Sequence, residues 1–127
     1  MINDKVVVGI VNRGSTILMA LRKIQEDNLS WVFPGGRLQS EETEKEAVIR
    51  EVLEETGILC SPTRKLGERI HPNTRKSICY WVCDYTSGEI SLRDPEITDA
   101  QWVQPQRIES IITSDLYLPV RQYLHSL

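Results

Sequence analysis

Three glutamates, Glu51, Glu54 and Glu55, stand three and four residues apart near the end of a stretch that reads as one helix. At about 100° per residue with Glu51 at zero, Glu54 falls at roughly −60° and Glu55 at roughly +40°, so three carboxylates share an arc of about 100° around Ala47. Like charges at those spacings cost a few tenths of a kcal/mol per pair, on the order of 0.3. In the last turn they also oppose the helix dipole, which favours cations there. Selection for stability alone would place lysine at these positions. Hard divalent cations relieve both penalties, because Mg²⁺ and Mn²⁺ take carboxylate and carbonyl oxygens and keep water for a phosphate-bearing substrate. From Glu41 to Glu55 seven Glu stand against one Lys and one Arg, a local charge of −5 in a chain of net charge −3, leaving the remainder at +2. The plainer reading of such a face is a solvated one.

The spacing around these acids decides between the two. Gly36, five residues, Glu42, seven residues and then Arg50-Glu51-Val52-x-Glu54-Glu55-x-Gly57-Ile58 match at every position the signature of the Nudix hydrolases, G-x5-E-x7-R-E-U-x-E-E-x-G-U with U aliphatic. With each fixed residue at a background of several per cent, chance agreement is on the order of 10⁻⁹ per starting position. The chain therefore resembles a Nudix hydrolase across the 23 residues of the signature. The resemblance implies an α/β fold, a three-layer α/β/α sandwich with a mixed sheet, and hydrolysis of a nucleoside diphosphate linked to another group, X, with Mg²⁺ or Mn²⁺ as cofactor. It implies that Glu51, Glu54 and Glu55 bind the metal, with the carbonyl of Gly36 as a further ligand. Arg50 would orient the cluster through charge-assisted hydrogen bonds, and Glu42 would hold loop and helix together. Gly35 and Gly36 would let the backbone approach metal and phosphate closely. Arg37, the next residue, is either a phosphate contact or a solvated loop residue.

A polyphosphate resists attack because its oxygens repel nucleophiles, so such a site must neutralise charge and activate water near neutral pH, which bridging metals do. Glu51 or Glu54 is then the general base, since members of the family differ in which residue serves. Water attacks one phosphorus in line and displaces the anhydride oxygen opposite, releasing a nucleoside monophosphate with either pyrophosphate or the phosphorylated X. One ligand in these enzymes comes from outside the signature. Mutator-type (MutT-like) members, which hydrolyse 8-oxo-dGTP, carry a Glu six residues before a late Trp, and Glu96 stands six before Trp102. Asp99 competes for that role, and both acids also read as ordinary turn residues after Asp94-Pro95.

The same members carry an Asn two residues before a C-terminal Pro that reads the oxidised guanine. Here Tyr117 precedes Pro119 at that position, a departure that argues against oxidised-guanine specificity. Tyr117 is a base-stacking candidate or a core aromatic, and Trp31 lines a base pocket or packs. The basic stretch RKLGERIHPNTRK, Arg64 to Lys76, offers Arg69, His71 and Arg75 to the outer phosphates. A small nucleoside triphosphate is the leading substrate. Dinucleoside polyphosphates and ADP-ribose are alternatives; the short chain argues against the ADP-ribose branch, whose members often carry an extra N-terminal sheet, although Pro72 lies near a proline those enzymes have. A nucleotide-sensing protein that keeps the fold without turnover is the reading of a different class, and the intact set of Glu51, Glu54 and Glu55 favours the enzyme.

The elements that must position these residues follow from periodicity. Val6 to Val11 and Ile17 to Leu21 read as strands joined by the turn Asn12-Arg13-Gly14-Ser15. Trp31 to Phe33 reads as a short strand stopped by Pro34-Gly35-Gly36. Thr43 to Glu55 is helical, with a capping box between Thr43 and Glu46 and Gly57 as its stop. On the wheel, Val48, Ile49, Val52 and Leu53 form the core-facing stripe. Ser77 to Tyr85 is the longest strand candidate, turned by Ser87-Gly88 into a strand over Glu89 to Leu92, and Ala100 to Val103 is a further strand. Pro119 suits a first helical position, with Val120, Tyr123, Leu124 and Leu127 at helical spacing.

With 127 residues, 40% hydrophobic and 26% charged, the expectation is one domain over residues 1–127. A pI of about 5.4 leaves no basic footprint for a nucleic-acid polymer, so the expected partner is a small nucleotide. The opening MINDKVVVGIV places an Asp before a short apolar run and lacks a cleavage site, which is not a secretory signal. No apolar run approaches membrane-spanning length. Three cysteines, Cys60, Cys79 and Cys83, without zinc spacing fit reduced packing thiols in a cytoplasm.

Overall fold

The computed structural model describes residues 4–25, 28–112 and 115–127, so the first three residues of the opening stretch lie outside it. Its elements are β1 (Val6–Arg13), β2 (Thr16–Gln25), β3 (Asn28–Val32), β4 (Gly35–Arg37), α1 (Glu44–Thr56), β5 (Leu59–Ile70), β6 (Ser77–Ser87), β7 (Ile97–Val103), α2 (Pro105–Ile111) and α3 (Leu118–His125). The sheet runs β3-β2-β1-β6-β5, with β4 paired to β1 and β7 to β2. Parallel pairing of β1 with β6, Val7 against Cys79 and Val11 against Cys83, makes an otherwise antiparallel sheet mixed.

Alternation along the strands divides the core in two. Val7 and Val11 of β1, Leu18 of β2 and Cys79 and Cys83 of β6 pack under Ala47, Val48 and Val52 of α1. The intervening residues, Ile10 of β1, Ile17 and Met19 of β2 and Tyr80 of β6, pack under Ile108, Val120 and Leu124 of α2 and α3. Helices thus cover both faces, giving the α/β/α layering. Gly9 sits where a Cβ would lie 3.0 Å from Val52 and 3.1 Å from Val48, so a bare backbone lets α1 press against the sheet. Cys60, Cys79 and Cys83 are free and buried. No helix of the described residues is long and apolar enough to cross a membrane.

Helix α1 is delimited as its sequence predicts. Thr43 Oγ1 accepts from the Glu46 N–H at 3.1 Å, Glu46 Oε1 accepts from the Thr43 N–H at 2.9 Å, and Gly57 ends the helix at φ 79°. Its buried stripe differs from the expected one: Ala47, Val48, Val52, Glu55 and Thr56 face inward, while Leu53 is 45% exposed. The rotation toward Ala47 brings Glu55 off the solvent face into the protein.

Other expectations are corrected. Residues Glu89 to Leu92 form no strand; after Gly88 (φ 103°) the chain leaves the sheet and the Ser91 N–H donates to Thr56 O at the end of α1. The strand expected over Trp31 to Phe33 is Asn28–Val32, and the glycine stretch thought to stop it is itself strand β4. The basic stretch runs along β5 as far as Ile70 and then through the turn before β6, and the β5–β6 pairing shifts register between Leu59 and Cys60, Pro62 and Arg64, and Lys65 and Gly67. Those bulges break the alternation that announces a strand.

Candidate active site

The site is built where β4 runs between β1 and the C-terminal half of α1. A Cβ on Gly35 would lie 2.2 Å from the Val7 carbonyl oxygen, so only glycine lets β4 pair with β1 here. A Cβ on Gly36 would lie 2.5 Å from the Glu51 carboxylate. The two glycines therefore hold the backbone of the loop directly against the acid.

Arg50 ties the surroundings together. It binds Glu42 with two bonds, Nε to Oε2 at 2.7 Å and Nη2 to Oε1 at 3.0 Å, and its Nη2 also donates to the carbonyl of Arg37 at 3.1 Å. Its Nη1 reaches Glu51 at 2.8 Å and Glu54 at 3.3 Å. Paired with this guanidinium, Glu42 is held below the usual carboxylate range. Glu42 also accepts from the Gln39 N–H at 2.9 Å, closing the loop between β4 and α1.

Glu55 behaves differently. Its side chain is 2% exposed, its Oε1 accepts from the Gly35 N–H at 3.0 Å, and its Oε2 meets Arg22 of β2 in a short ion pair. Burial pushes its pKa up to about 7 against the pull of Arg22 and the Gly35 N–H, with Glu51 and Asp94 adding negative charge nearby. Arg22 also binds Glu96 at 3.1 Å. Glu96 is thereby brought to the rim of the carboxylate set by the β2–β7 pairing, where Lys23 N–H donates to its carbonyl. Asp99, its competitor, spends its oxygens locally, on the Ala100 N–H at 2.8 Å and the Gln101 amide at 3.0 Å. Arg22 was not legible in the sequence: one arginine at the end of an apolar strand carries no spacing signal.

A groove of about 490 Å³ gathers Arg22, Gly35, Gly36, Arg37, Glu51, Glu55, Lys76 and Asp94, with Val8, Val32, Phe33, Thr74 and Ile78 on its other side. Glu54, 57% exposed, stands beside it on the same Arg50. The donors fit a hard divalent cation: carboxylate oxygens converge on a glycine backbone, and Glu55 is a buried acid held up at about 7 even with Arg22 beside it, so its charge is only partly matched. The substrate-binding candidates are dispersed. Arg37 lines the groove. Trp31 is half-buried and bridges to Ile112. Arg69 is held by Asp115 at 2.5 Å and Tyr80 Oη at 3.2 Å. Tyr117 precedes α3 and stacks on Tyr80 with ring centroids 4.9 Å apart, its hydroxyl against Gly67. Arg75 lies in the β5–β6 turn at φ 65°.

A second acidic group, Glu44, Glu68 and Cys79, has ligand atoms within 4.8 Å of one another. Lys65 pairs with both acids at 3.0 Å and Lys5 with both at 3.3 and 3.4 Å, so these carboxylates already have cations. Hydrogen bonds from Lys65 and Cys79 hold Glu68 down at about 2. A depressed carboxylate contributes stability above its ordinary value, and that contribution is lost as pH falls toward the folded value. Glu68→Gln is accordingly expected to lower the denaturation midpoint at pH 7, with the variant and parent curves converging between about pH 4.5 and 2. Parallel curves over that range would show that the network contributes nothing to acid stability.

The NUDIX domain family model matches residues 3–122. The chain is 36% identical over 98 residues to the NAD-capped RNA hydrolase NudC of Haemophilus influenzae, an alignment covering 76% of this chain and 37% of that one. The chain thus matches little more than a third of that relative's length. It is 31% identical over 121 residues to a protein of Mycobacterium tuberculosis called putative 8-oxo-dGTP diphosphatase 2, covering 84% and 85% of the two chains. Among solved structures, the MutT protein of Methanosarcina mazei superposes with a TM-score of 0.75 at 26% identity, over 96% of this chain and 92% of that one.

Proposed function

We propose that this chain, which belongs to the NUDIX domain family, hydrolyses a nucleoside diphosphate linked to X, with a nucleoside triphosphate as its leading substrate and Mg²⁺ or Mn²⁺ as cofactor. One arrangement carries the reading: Glu51 and Glu55, the glycine backbone and three basic side chains share a groove that continues into an apolar cavity through Val8, Val32, Phe33, Thr74 and Ile78. Phosphates and a base have adjoining places. The relatives named for nucleotide substrates support the same class.

Glu51, Glu54 and Glu55 would hold the divalent ion together with the Gly36 carbonyl and Glu96. That ion, when bound, supplies charge neutralisation and lowers the pKa of water. Arg22, Arg37 and Lys76 face the phosphates and offset their charge. Arg50 fixes Glu51 and Glu54 relative to the loop, so that one of the two can take the proton of the attacking water. The water oxygen bonds to phosphorus, the anhydride bond breaks, and its bridging oxygen leaves with the outer phosphates.

The test is a product assay by ³¹P NMR with Mg²⁺ over nucleoside triphosphates, 8-oxo-dGTP, ADP-ribose, NADH and dinucleoside polyphosphates. A triphosphate is expected to yield monophosphate and pyrophosphate. Release of diphosphate and phosphate would overturn the assignment, since attack at the outer phosphorus is the work of phosphate loops of another type, G-x-x-x-x-G-K-[ST], which this sequence lacks. Tight binding of one nucleotide without cleavage of any would make the protein a sensor.

A further inference from the structure

The apolar cavity beyond the groove, about 410 Å³, is walled by Val8, Phe33, Ile78, Tyr80, Ile112 and Leu116. Its polar edge comes from the turn between β5 and β6, where His71 is 7% exposed. His71 Nδ1 accepts from the backbone N–H of Asn73 at 3.1 Å and of Thr74 at 3.3 Å. An imidazole nitrogen that accepts carries no proton, so the ring hydrogen lies on Nε2. The turn fixes the ring further, with the His71 N–H donating to Lys76 O and the Arg75 N–H to His71 O, both at 2.9 Å. Among the described residues no group accepts the Nε2–H. Every side-chain nitrogen and oxygen sealed from solvent has a partner among the described residues, so this unpaired donor is reachable from outside and, on a residue that lines the cavity, is available to a ligand. The charged groups beside it are Arg69 and Asp115, paired with each other, and Asp115 also lines the cavity.

We propose that His71 is a specificity-determining residue: its Nε2–H donates to an acceptor on the edge of a nucleobase held in this cavity, a ring nitrogen or carbonyl oxygen. The proposal rests on the nucleotide reading of the adjoining groove. A base suits the space because its faces are apolar and its edge polar, matching apolar walls with one donor fixed at the rim. Asp115 supplies an acceptor beside that donor for a neighbouring amino or imino N–H. Burial and the charge of Arg69 hold the His71 pKa below its ordinary value, so the neutral ring persists at neutral pH.

His71→Asn is the informative variant, because the Asn carbonyl oxygen replaces Nδ1 as the acceptor in the turn while the Nε2 donor disappears. For deoxynucleoside triphosphates KM is expected to rise by about tenfold or more, with kcat falling less than about threefold. Deoxyribose 5′-triphosphate, which has no base, should be handled alike by both proteins. In ¹⁵N-histidine spectra of the unsubstituted protein, which has two histidines, the His71 Nε2–H signal is expected to shift with dNTPs and not with tripolyphosphate. That measurement holds even if the variant fails to fold. An equal KM change on the baseless probe, or turnover of dNTPs with the Nε2–H signal unmoved, would overturn the proposal and leave the hydrolase reading intact. A shift with dNTPs in a protein that hydrolyses none would uphold the base contact and defeat the hydrolase.

Discussion

Exhaustive treatment with EDTA is expected to abolish hydrolysis of every substrate the protein accepts, and added Mg²⁺ or Mn²⁺ to restore it, measured by release of pyrophosphate. The expectation comes from charge. Glu51, Glu54 and Glu55 crowd one end of α1, and that helix has no basic residue in its last turn. Arg50 and Arg22 answer part of this charge, yet both are already engaged, Arg50 with Glu42 and Arg22 with Glu96. A polyphosphate brought to the same groove adds several negative charges, and Arg37 and Lys76, with the already shared Arg22, are too few to neutralise acid and substrate together. Full turnover after complete metal removal would show that the basic side chains suffice and that the glutamates serve another purpose.

The second large effect is expected at Glu54. Of the three signature glutamates it is the most exposed, 57% by side chain, and its one hydrogen-bond partner among the described residues is Arg50 at 3.3 Å. Glu54→Gln keeps the shape and removes the charge, so folding should hardly notice; relief of repulsion from its neighbours is worth about 0.3 kcal/mol. Catalysis should notice a great deal. Losing one electrostatic group of this kind costs about a hundredfold or more in kcat. The pair of readouts is an unchanged thermal midpoint and a kcat reduced at least that far. A variant turning over at the parent rate would move the catalytic cluster away from this end of α1.

The site was more legible than the sheet around it. The glutamates, Arg50 and the glycines lie in one continuous segment, so their spacing alone brings them together on a helix and the loop before it. Glu96 was singled out by its distance from Trp102, as the resemblance implies, although nothing in the sequence tells that Arg22 joins it to Glu55. That contact depends on pairing β2 with β7 some 75 residues later, which no local pattern reports. The wheel misjudged the helix for a similar reason. Hydrophobicity points Ile49 and Leu53 inward, but the bare backbone of Gly9 admits Val48 and Val52 and sets a rotation that buries Glu55. His71 stood in the sequence only as one of three groups of a basic stretch offered to the outer phosphates; its place at the edge of the apolar cavity shows only once the turn is folded.

The parallel pairing of β1 with β6 governs when this fold can form. β1 holds the middle of the sheet, yet its neighbour on one side is Ser77–Ser87. Until the ribosome has delivered that segment, the edge of β1 that β6 will cover stays open, and the Val7–Val11 row under α1 lacks Cys79 and Cys83. Closing such a long loop carries an entropic cost before the contact repays it, which places the protein among slowly folding topologies. A nascent chain of this kind presents a valine-rich strand edge to its neighbours for most of its synthesis, and crowding of such chains favours edge-to-edge association over folding.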